Sequence, residues 1–260
     1  MGSDWSWTLT LPEGALDPAA IERLLGLAGT FGLSPHRPGG GHNGFDNSPG
    51  HEGEHRVLDR EQLVRGLAEG TWSTNLWTRS EVDVWLSTAP GGQTVSLSLN
   101  SCHCRRTPDA RAEPFRELHH RLTELWTAIA GETGALFGRV EDEWSLEQIW
   151  SELPGPDFSA PPLGSWPDWL SWHTYFDAAR YRMLSPLPAG LDVRQTPDGG
   201  AVIVLAADPA AVDPLEFARL HRRYRQMPNK AEALPEENFR RSTSDGSSPR
   251  KASISSRVGC

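Results

Sequence analysis

Two short stretches of this 260-residue sequence hold residue types that could carry chemistry. The first lies within PGHEGEHRVLD at residues 49–59, where His51, Glu52 and His55 have the H-E-x-x-H spacing of zinc metallopeptidases. Two histidines four residues apart share one face of a helix and can bind one zinc ion, while the glutamate beside the first activates a zinc-bound water. The spacing makes a zinc-dependent hydrolase one hypothesis for this chain.

The residues around this motif favour a loop over a helix. Glycine, proline and asparagine recur through residues 38–50, and all three are typical of turns. Gly53 lies inside the motif, where a helix would lose about 1 kcal/mol relative to alanine. The next helix start is Asp59, which has the capping-box spacing to Gln62. We therefore predict that residues 34–56 form a solvated loop and that no metal is bound there.

The second stretch is the acidic run Glu141, Asp142 and Glu143, followed by Trp144. Tryptophan is enriched among the residues that dominate binding at protein interfaces, and carboxylates around it would steer a basic partner. The run follows a predicted strand and precedes a helix predicted to start at Ser145. These four residues are predicted to bind a partner protein, and the alternative is a solvated strand-to-helix turn.

Other residues with metal-binding chemistry do not form a convincing site. Cys102, His103 and Cys104 are adjacent, but zinc would need further ligands from elsewhere in the chain. Reduced thiols at a strand end are the favoured interpretation. No cofactor is predicted.

Charge and hydropathy restrict the class of protein. The formal net charge is −9, which disfavours nucleic acid as a partner because phosphate binding needs a basic surface. No run approaches the roughly 18 apolar residues of a membrane span, and the N-terminus lacks the apolar region of a signal peptide. We predict a cytoplasmic protein that does not enter a membrane.

Hydrophobic periodicity predicts the elements that must position these residues. Alternating apolar residues predict strands, and apolar residues at helical spacing predict helices: strands at 5–11, 82–86, 95–99, 134–140, 191–196 and 201–206, and helices at 17–32, 59–69, 115–130, 145–150 and 213–225. A hairpin followed by a helix occurs at 81–130 and again at 191–225. We predict an α+β fold, with antiparallel meanders forming a sheet, helices packed on one face, and two similar halves.

The predicted domain is residues 1–226, with 1–153 and 163–226 as alternative subdomains. Residues 227–260 are predicted to be a disordered tail because they hold few large apolar residues. Among the tryptophans, Trp126 and Trp150 lie on helical stripes and are predicted to be core. Trp169 and Trp172 could lie in the core or on the surface.

The order of motifs after residue 75 is similar to that of a known family. The helix at 115–130 leads to LFGRV at 136–140, then to WLSWHTYF at 169–176, and then to a turn containing Gly199 and Gly200 before the apolar strand VIVL. This order resembles the immunity protein fifty-two family of bacterial polymorphic toxin systems and related immunity proteins of type VI secretion systems (T6SS).

The resemblance covers roughly residues 75–225. It implies a small cytosolic α+β protein without catalytic activity, which neutralises one cognate toxin, often a nuclease, by covering its active site. The family has no catalytic motif to transfer, and the segment 34–56 and the basic tail depart from it. Three hypotheses follow from the sequence: a toxin-neutralising immunity protein, a zinc-dependent hydrolase, and a non-enzymatic interaction module.

Overall fold

The fold is centred on one large antiparallel sheet. The computed structural model describes residues 3–37, 39–104, 112–184, 187, 190–212 and 214–225, which contain ten strands and six α-helices. The strands are β1 (Trp5–Thr10), β2 (His42–Asp46), β3 (His55–Leu58), β4 (Trp72–Trp77), β5 (Asp83–Thr88), β6 (Thr94–Leu99), β7 (Phe137–Asp142), β8 (His173–Phe176), β9 (Asp192–Gln195) and β10 (Ala201–Val204). The helices are α1 (Pro18–Thr30), α2 (Arg60–Glu69), α3 (Ala112–Thr133), α4 (Glu143–Glu152), α5 (Ala178–Met183) and α6 (Pro214–Arg225), with a short 3-10 helix at Pro209–Ala211.

The strands lie in the order β3-β2-β4-β5-β6-β1-β7-β8-β10-β9. The N-terminal strand β1 is therefore central, and Trp7 is paired with Leu97 of β6 on one side and with Val140 of β7 on the other. Its side chains alternate between buried and half-buried because successive residues of a strand point to opposite faces. The predicted α+β class with an antiparallel sheet is confirmed. The finer arrangement, with helices on one face and two similar halves, remains a prediction.

Local sequence signals define the first two helices. Asp17 caps α1 by accepting a hydrogen bond from the Ala20 amide, with Pro18 in the first turn. Asp59 and Gln62 form the predicted capping box at the start of α2, and Gly70 ends that helix in the left-handed conformation. The predicted starts of these helices are confirmed.

Two groups of buried apolar side chains hold the fold together. The larger group joins the apolar stripes of α1, α2 and α3 to the side chains of β1, β5 and β6. Each fully buried leucine in it contributes about 1.5–3 kcal/mol relative to an exposed one. The smaller group contains Phe137, Leu170, Phe176, Leu184, Ile203 and Tyr224. It lies around the second half of the sheet, where α5 and α6 supply Leu184 and Tyr224 near the helix ends.

Three sequence predictions need correction. Residues 34–56 are not one solvated loop, because β2 and the first two residues of β3 lie within them and form an edge hairpin of the sheet. The helix predicted to start at Ser145 begins at Glu143. Trp150, predicted to be core, is 57% exposed, whereas Trp126, Trp169 and Trp172 are buried.

The predicted tail 227–260 lies outside the described residues. The chain divides into two units, residues 1–227 and 228–260, and the second falls within that tail. Among the helices in the described part of the chain, none is both long enough and apolar enough to cross a membrane.

Candidate protein-binding surface

The HEGEH motif lies in the β2–β3 hairpin and not on a helix. His51 Nδ1 donates a hydrogen bond to Glu54 Oε1 at 2.9 Å, and His55 Nε2 donates to Asn43 Oδ1 at 3.0 Å. Gly53 between them has a φ of 82°, outside the helical region. The two histidines therefore bind different partners, and the shared helical face that zinc hydrolysis needs is absent.

The other residues of this motif and the cysteine pair are also separated from any ligand cluster. Glu52 accepts a hydrogen bond from the Gly50 amide at 2.9 Å. Cys104 is buried while Cys102 is exposed, so the two thiols do not face one site. Within the described ranges, no group of three or more His, Cys, Asp or Glu side chains could hold a metal ion. The exposed His51 has a raised pKa because of its hydrogen bond to Glu54.

A chain of hydrogen-bonded side chains crosses the hairpin end of the sheet. His55 on β3 donates to Asn43 on β2, Asn43 Nδ2 donates to Asn75 Oδ1 on β4 at 2.8 Å, and Asn75 Nδ2 donates to Asp83 Oδ2 at 3.1 Å. The His103 ring nitrogen lies 3.6 Å from the same carboxylate. Because Asn43 and Asn75 are buried, these bonds replace the hydrogen bonds that their side-chain amides would make with water. No sequence pattern predicts this chain of hydrogen bonds, because its members come from four strands and a loop.

Glu141 does not lie on the surface, where the sequence analysis placed it. It is the penultimate residue of β7 and is 6% exposed. Its Oε1 accepts hydrogen bonds from Trp169 Nε1 at 3.1 Å and from Ser171 Oγ at 2.7 Å. These bonds replace water around a buried carboxylate, which is the condition for burying a charge. The prediction that Glu141 faces a partner is wrong for this reason.

Asp142 is also internal, with 1% exposure. It ends β7 and caps α4, because its carboxylate accepts from the Ser145 amide while the Ser145 hydroxyl accepts from the Asp142 amide. The same carboxylate accepts from Trp172 Nε1 at 2.8 Å. Asp142 thus joins the strand, the helix and the tryptophan-rich segment, and its predicted surface role is wrong.

Glu143 and Trp144 do lie on the surface, on the exposed face of α4. At about 100° per residue, Trp150, Glu143, Glu147 and Trp144 follow one another around an arc of about 120°, opposite the buried Ile149. All four are exposed, with 43% exposure for Trp144 and 57% for Trp150. We call this arc the α4 surface: two glutamates between two tryptophans.

Phe158 extends the α4 surface onto the connector after the helix. Its ring is 44% exposed and lies edge-on to Trp150, with 6.4 Å between ring centroids, and to Trp169 at 5.1 Å. Beneath it, the guanidinium of Arg139 lies 4.0 Å from the centroid of the Trp169 ring and donates to the Asp157 carbonyl at 3.2 Å. Arg139 therefore holds the connector in place beside the helix.

The charge of Arg139 is unusual because the side chain is only 5% exposed. Burial lowers the pKa of its guanidinium, and the nearby carboxylates of Glu141, Asp157 and Asp168 act in the opposite direction. Aromatic faces also stabilise such a cation. The exposed aromatic rings beside β7 therefore pack on buried ionic groups.

Sequence patterns did not identify Trp150 and Phe158 as surface residues. A helix started at Glu143 instead of Ser145 would have placed Trp150 on the same arc as Glu143 and Glu147. No local signal identified Phe158, because its position depends on Arg139 and Trp169, which come from other segments.

Comparisons with known proteins identify no family. No protein-family model matches the chain, and no curated protein matches it significantly. Among solved structures, the chain is similar to the Pseudomonas aeruginosa T6SS protein PA0821, with a TM-score of 0.45 and 13% sequence identity over 84% of this chain and 72% of that chain. At this TM-score the likeness supports no inference about the function of this chain.

Proposed function

We propose that this chain is an immunity protein that binds a cognate bacterial toxin and blocks it without catalysing a reaction. The observation that carries this proposal is the α4 surface, where exposed Trp144 and Trp150 stand on either side of Glu143 and Glu147. The T6SS context and the cytoplasmic location implied by the sequence resemblance belong to the same proposal.

Physical chemistry favours a protein partner at the α4 surface. Large exposed aromatic rings grouped on one side of a molecule mark interaction sites, and tryptophan is enriched among the residues that dominate binding. Together with Phe158, the two tryptophans give the surface three rings that a partner could cover. The first turn of α4 is fixed to the sheet by the Asp142 cap, so little order has to be gained on binding.

Charge indicates the chemistry of the partner. Glu143 and Glu147 lie between the rings, and the chain carries a formal net charge of −9. A basic protein surface, such as the active site of a toxin that acts on nucleic acid, complements this arrangement and is captured faster because of it. The zinc-hydrolase hypothesis has no comparable support, since His51 and His55 bind separate partners.

The test is co-expression with the toxin genes that adjoin this gene, in a sensitive bacterial host. The wild-type chain is expected to restore growth and to form a complex with one toxin that survives gel filtration. Glu143→Lys with Glu147→Lys is expected to slow association and to flatten its dependence on salt. Glu13→Lys with Glu69→Lys changes the net charge equally at other exposed positions and serves as the matched control. Failure to protect against, or to bind, any adjacent toxin would refute the immunity function.

A further inference from the structure

A second surface, formed by elements other than α4, has the form of a groove. It has a volume of about 1030 Å³ and is walled on one side by α3, on the other by β9 and the turn to β10. The side chains that line α3 run from Glu113 to Glu132, almost the whole length of this 22-residue helix. Small-molecule sites occupy about 300–1,000 Å³, so the volume and length of this groove favour an elongated ligand.

The floor of the groove is largely apolar. Val202 and Val204 of β10 form part of it, and Ala128 contributes from the α3 side. The hydroxyl of Thr127, also on this wall, donates to the Thr123 carbonyl within α3 and needs no partner from a ligand. A ligand that fits this floor must therefore present an apolar stripe.

The rim of the groove is acidic. The lining residues include six carboxylates and two guanidinium groups: Glu113, Glu117, Glu124, Glu132, Asp198 and Asp208, with Arg116 and Arg194. Arg116 is paired with Glu113 and Asp208, and Glu132 is paired with Arg23. Glu117, Glu124 and Asp198 therefore remain against Arg194, which leaves an excess of negative charge. Burial lowers the pKa of His173, in the floor, to about 4, so this ring adds no positive charge at neutral pH. The rim therefore complements a cationic ligand.

We infer that this groove is a docking site for a basic amphipathic helix of another protein. An apolar stripe flanked by lysine or arginine matches an apolar floor beside the glutamate-rich wall of α3, which is the helix-in-groove mode of recognition. Helices pack at about 8–10 Å between axes, and α3, with 22 residues, offers a long wall against which such a helix can lie. This inference goes beyond the proposed function, because it concerns a different surface and does not require a toxin.

The experiment uses the full chain and a labelled 15-residue peptide of leucine and lysine with leucines at helical spacing. Two further peptides serve as probes: a scrambled version of the same composition, and a version with glutamate in place of lysine. Binding is measured by fluorescence anisotropy at physiological salt, and the site is located from the methyl NMR signals of Val202 and Val204. The amphipathic basic peptide is expected to bind at least tenfold more tightly than either other peptide and to shift both valine signals.

Variants separate groove binding from general charge attraction. Glu117→Lys with Glu124→Lys reverses two exposed rim positions, and Ala128→Trp fills the groove; each is expected to raise the peptide Kd at least tenfold. Glu13→Lys with Glu69→Lys is the charge-matched control and is expected to change it less than threefold. Equal weakening by both double variants, equal binding of the scrambled peptide, or unmoved valine signals would each overturn the inference. The immunity function is tested with a toxin and would stand or fall separately.

Discussion

The β2–β3 hairpin and the β7–α4 junction contain similar residue types but use them in opposite ways. In the hairpin, His51 and Glu54 pair with each other in water. At the junction, Glu141 and Asp142 are turned inward onto tryptophan N–H groups. The first arrangement contributes little to the free energy of unfolding, because water screens the attraction between exposed charges. The second fixes the elements that carry the α4 surface.

The difference between the two regions comes from their place in the sheet. The hairpin is an edge, so its turn protrudes and its charges stay hydrated. β7 lies inside the sheet between β1 and β8, and the connector with Trp169 and Trp172 folds back against its end. A carboxylate at that position must be hydrogen-bonded, because burying it unpaired would cost several kcal/mol. The same kind of substitution should therefore change the free energy of unfolding much more at the junction than in the hairpin.

The largest expected effect is on Glu141. Replacing it with alanine, Glu141→Ala, leaves Trp169 Nε1 and the Ser171 hydroxyl without their acceptor and removes a carboxylate near buried Arg139. We expect the free energy of unfolding to fall by about 3 kcal/mol, measured by urea denaturation. Glu54→Ala in the hairpin is the control and should leave the midpoint within experimental error. Equal effects of the two substitutions would contradict the contrast drawn between the regions.

The second effect concerns the pH dependence of stability. Burial lowers the pKa of His173 from its ordinary 6.5 to about 4, although its hydrogen bond to the Ala206 carbonyl opposes this. The unfolded chain then takes up the proton first as pH falls, so the free energy of unfolding decreases between about pH 6.5 and about pH 4. The loss reaches about 3 kcal/mol at the lower end.

His173→Gln removes this titration and should flatten the curve of unfolding free energy against pH over that interval. His51→Gln is the matched exposed variant. The pKa of His51 is raised, not lowered, so both the folded and the unfolded chain hold its proton below about pH 6.5. Its removal should therefore leave the shape of the curve unchanged over that interval. A wild-type curve that is flat between pH 6.5 and 4 would show that His173 is not buried in its neutral form.

A smaller effect is expected from the hydrogen-bonded chain beside the hairpin. Asn75→Ala leaves the buried Asn43 amide without its acceptor and removes a donor to Asp83. We expect a loss of about 1 kcal/mol in the free energy of unfolding. His103→Ala, at the solvent end of this series of hydrogen bonds, should lower the free energy of unfolding less. The opposite order would mean that the hydrogen bonds do not run from Asn43 through Asn75 to Asp83.

The smallest effect is expected from the HEGEH motif itself. His51→Ala together with His55→Ala should lower the melting temperature less than Asn75→Ala does, because His51 is exposed and His55 contributes a single hydrogen bond to Asn43. EDTA should not lower the melting temperature of the wild type. Elemental analysis of the purified chain checks the same point. One tightly held zinc ion per chain, lost in the double variant, would restore the hydrolase hypothesis and remove the basis for a non-catalytic function.

Much of the fold followed from the sequence because it depends on local patterns. The alternation in β1, the capping box of α2 and the apolar stripe of α3 each lie within one segment. Strand β2, which lies between the edge strand β3 and β4, was missed because three of its five residues are polar and the segment is rich in turn formers. A strand of this kind is defined by its partner β4 and not by its own composition.

The candidate site was harder to predict because tertiary structure decides whether a side chain faces the core or the solvent. All four residues of the run at 141–144 were predicted to face a partner, but two of them are buried and two are exposed. The boundary between them is the Asp142 cap, which depends on where β7 ends and on Trp172. A one-residue change in the end of a strand reverses which side chains face water. The sequence pattern alone therefore could not separate the buried Glu141 and Asp142 from the exposed Glu143 and Trp144.

Dissociation rates of the toxin complex show whether the α4 surface binds the toxin. With a toxin identified by co-expression, Trp144→Ala and Trp150→Ala are compared with Leu163→Ala and Met183→Ala, which remove equally exposed apolar side chains elsewhere. Loss of a dominant aromatic contact of about 2 kcal/mol predicts roughly 30-fold faster dissociation for the tryptophan variants and less than twofold for the controls. Unchanged dissociation of both tryptophan variants, whatever the controls do, would mean that the α4 surface does not bind the toxin.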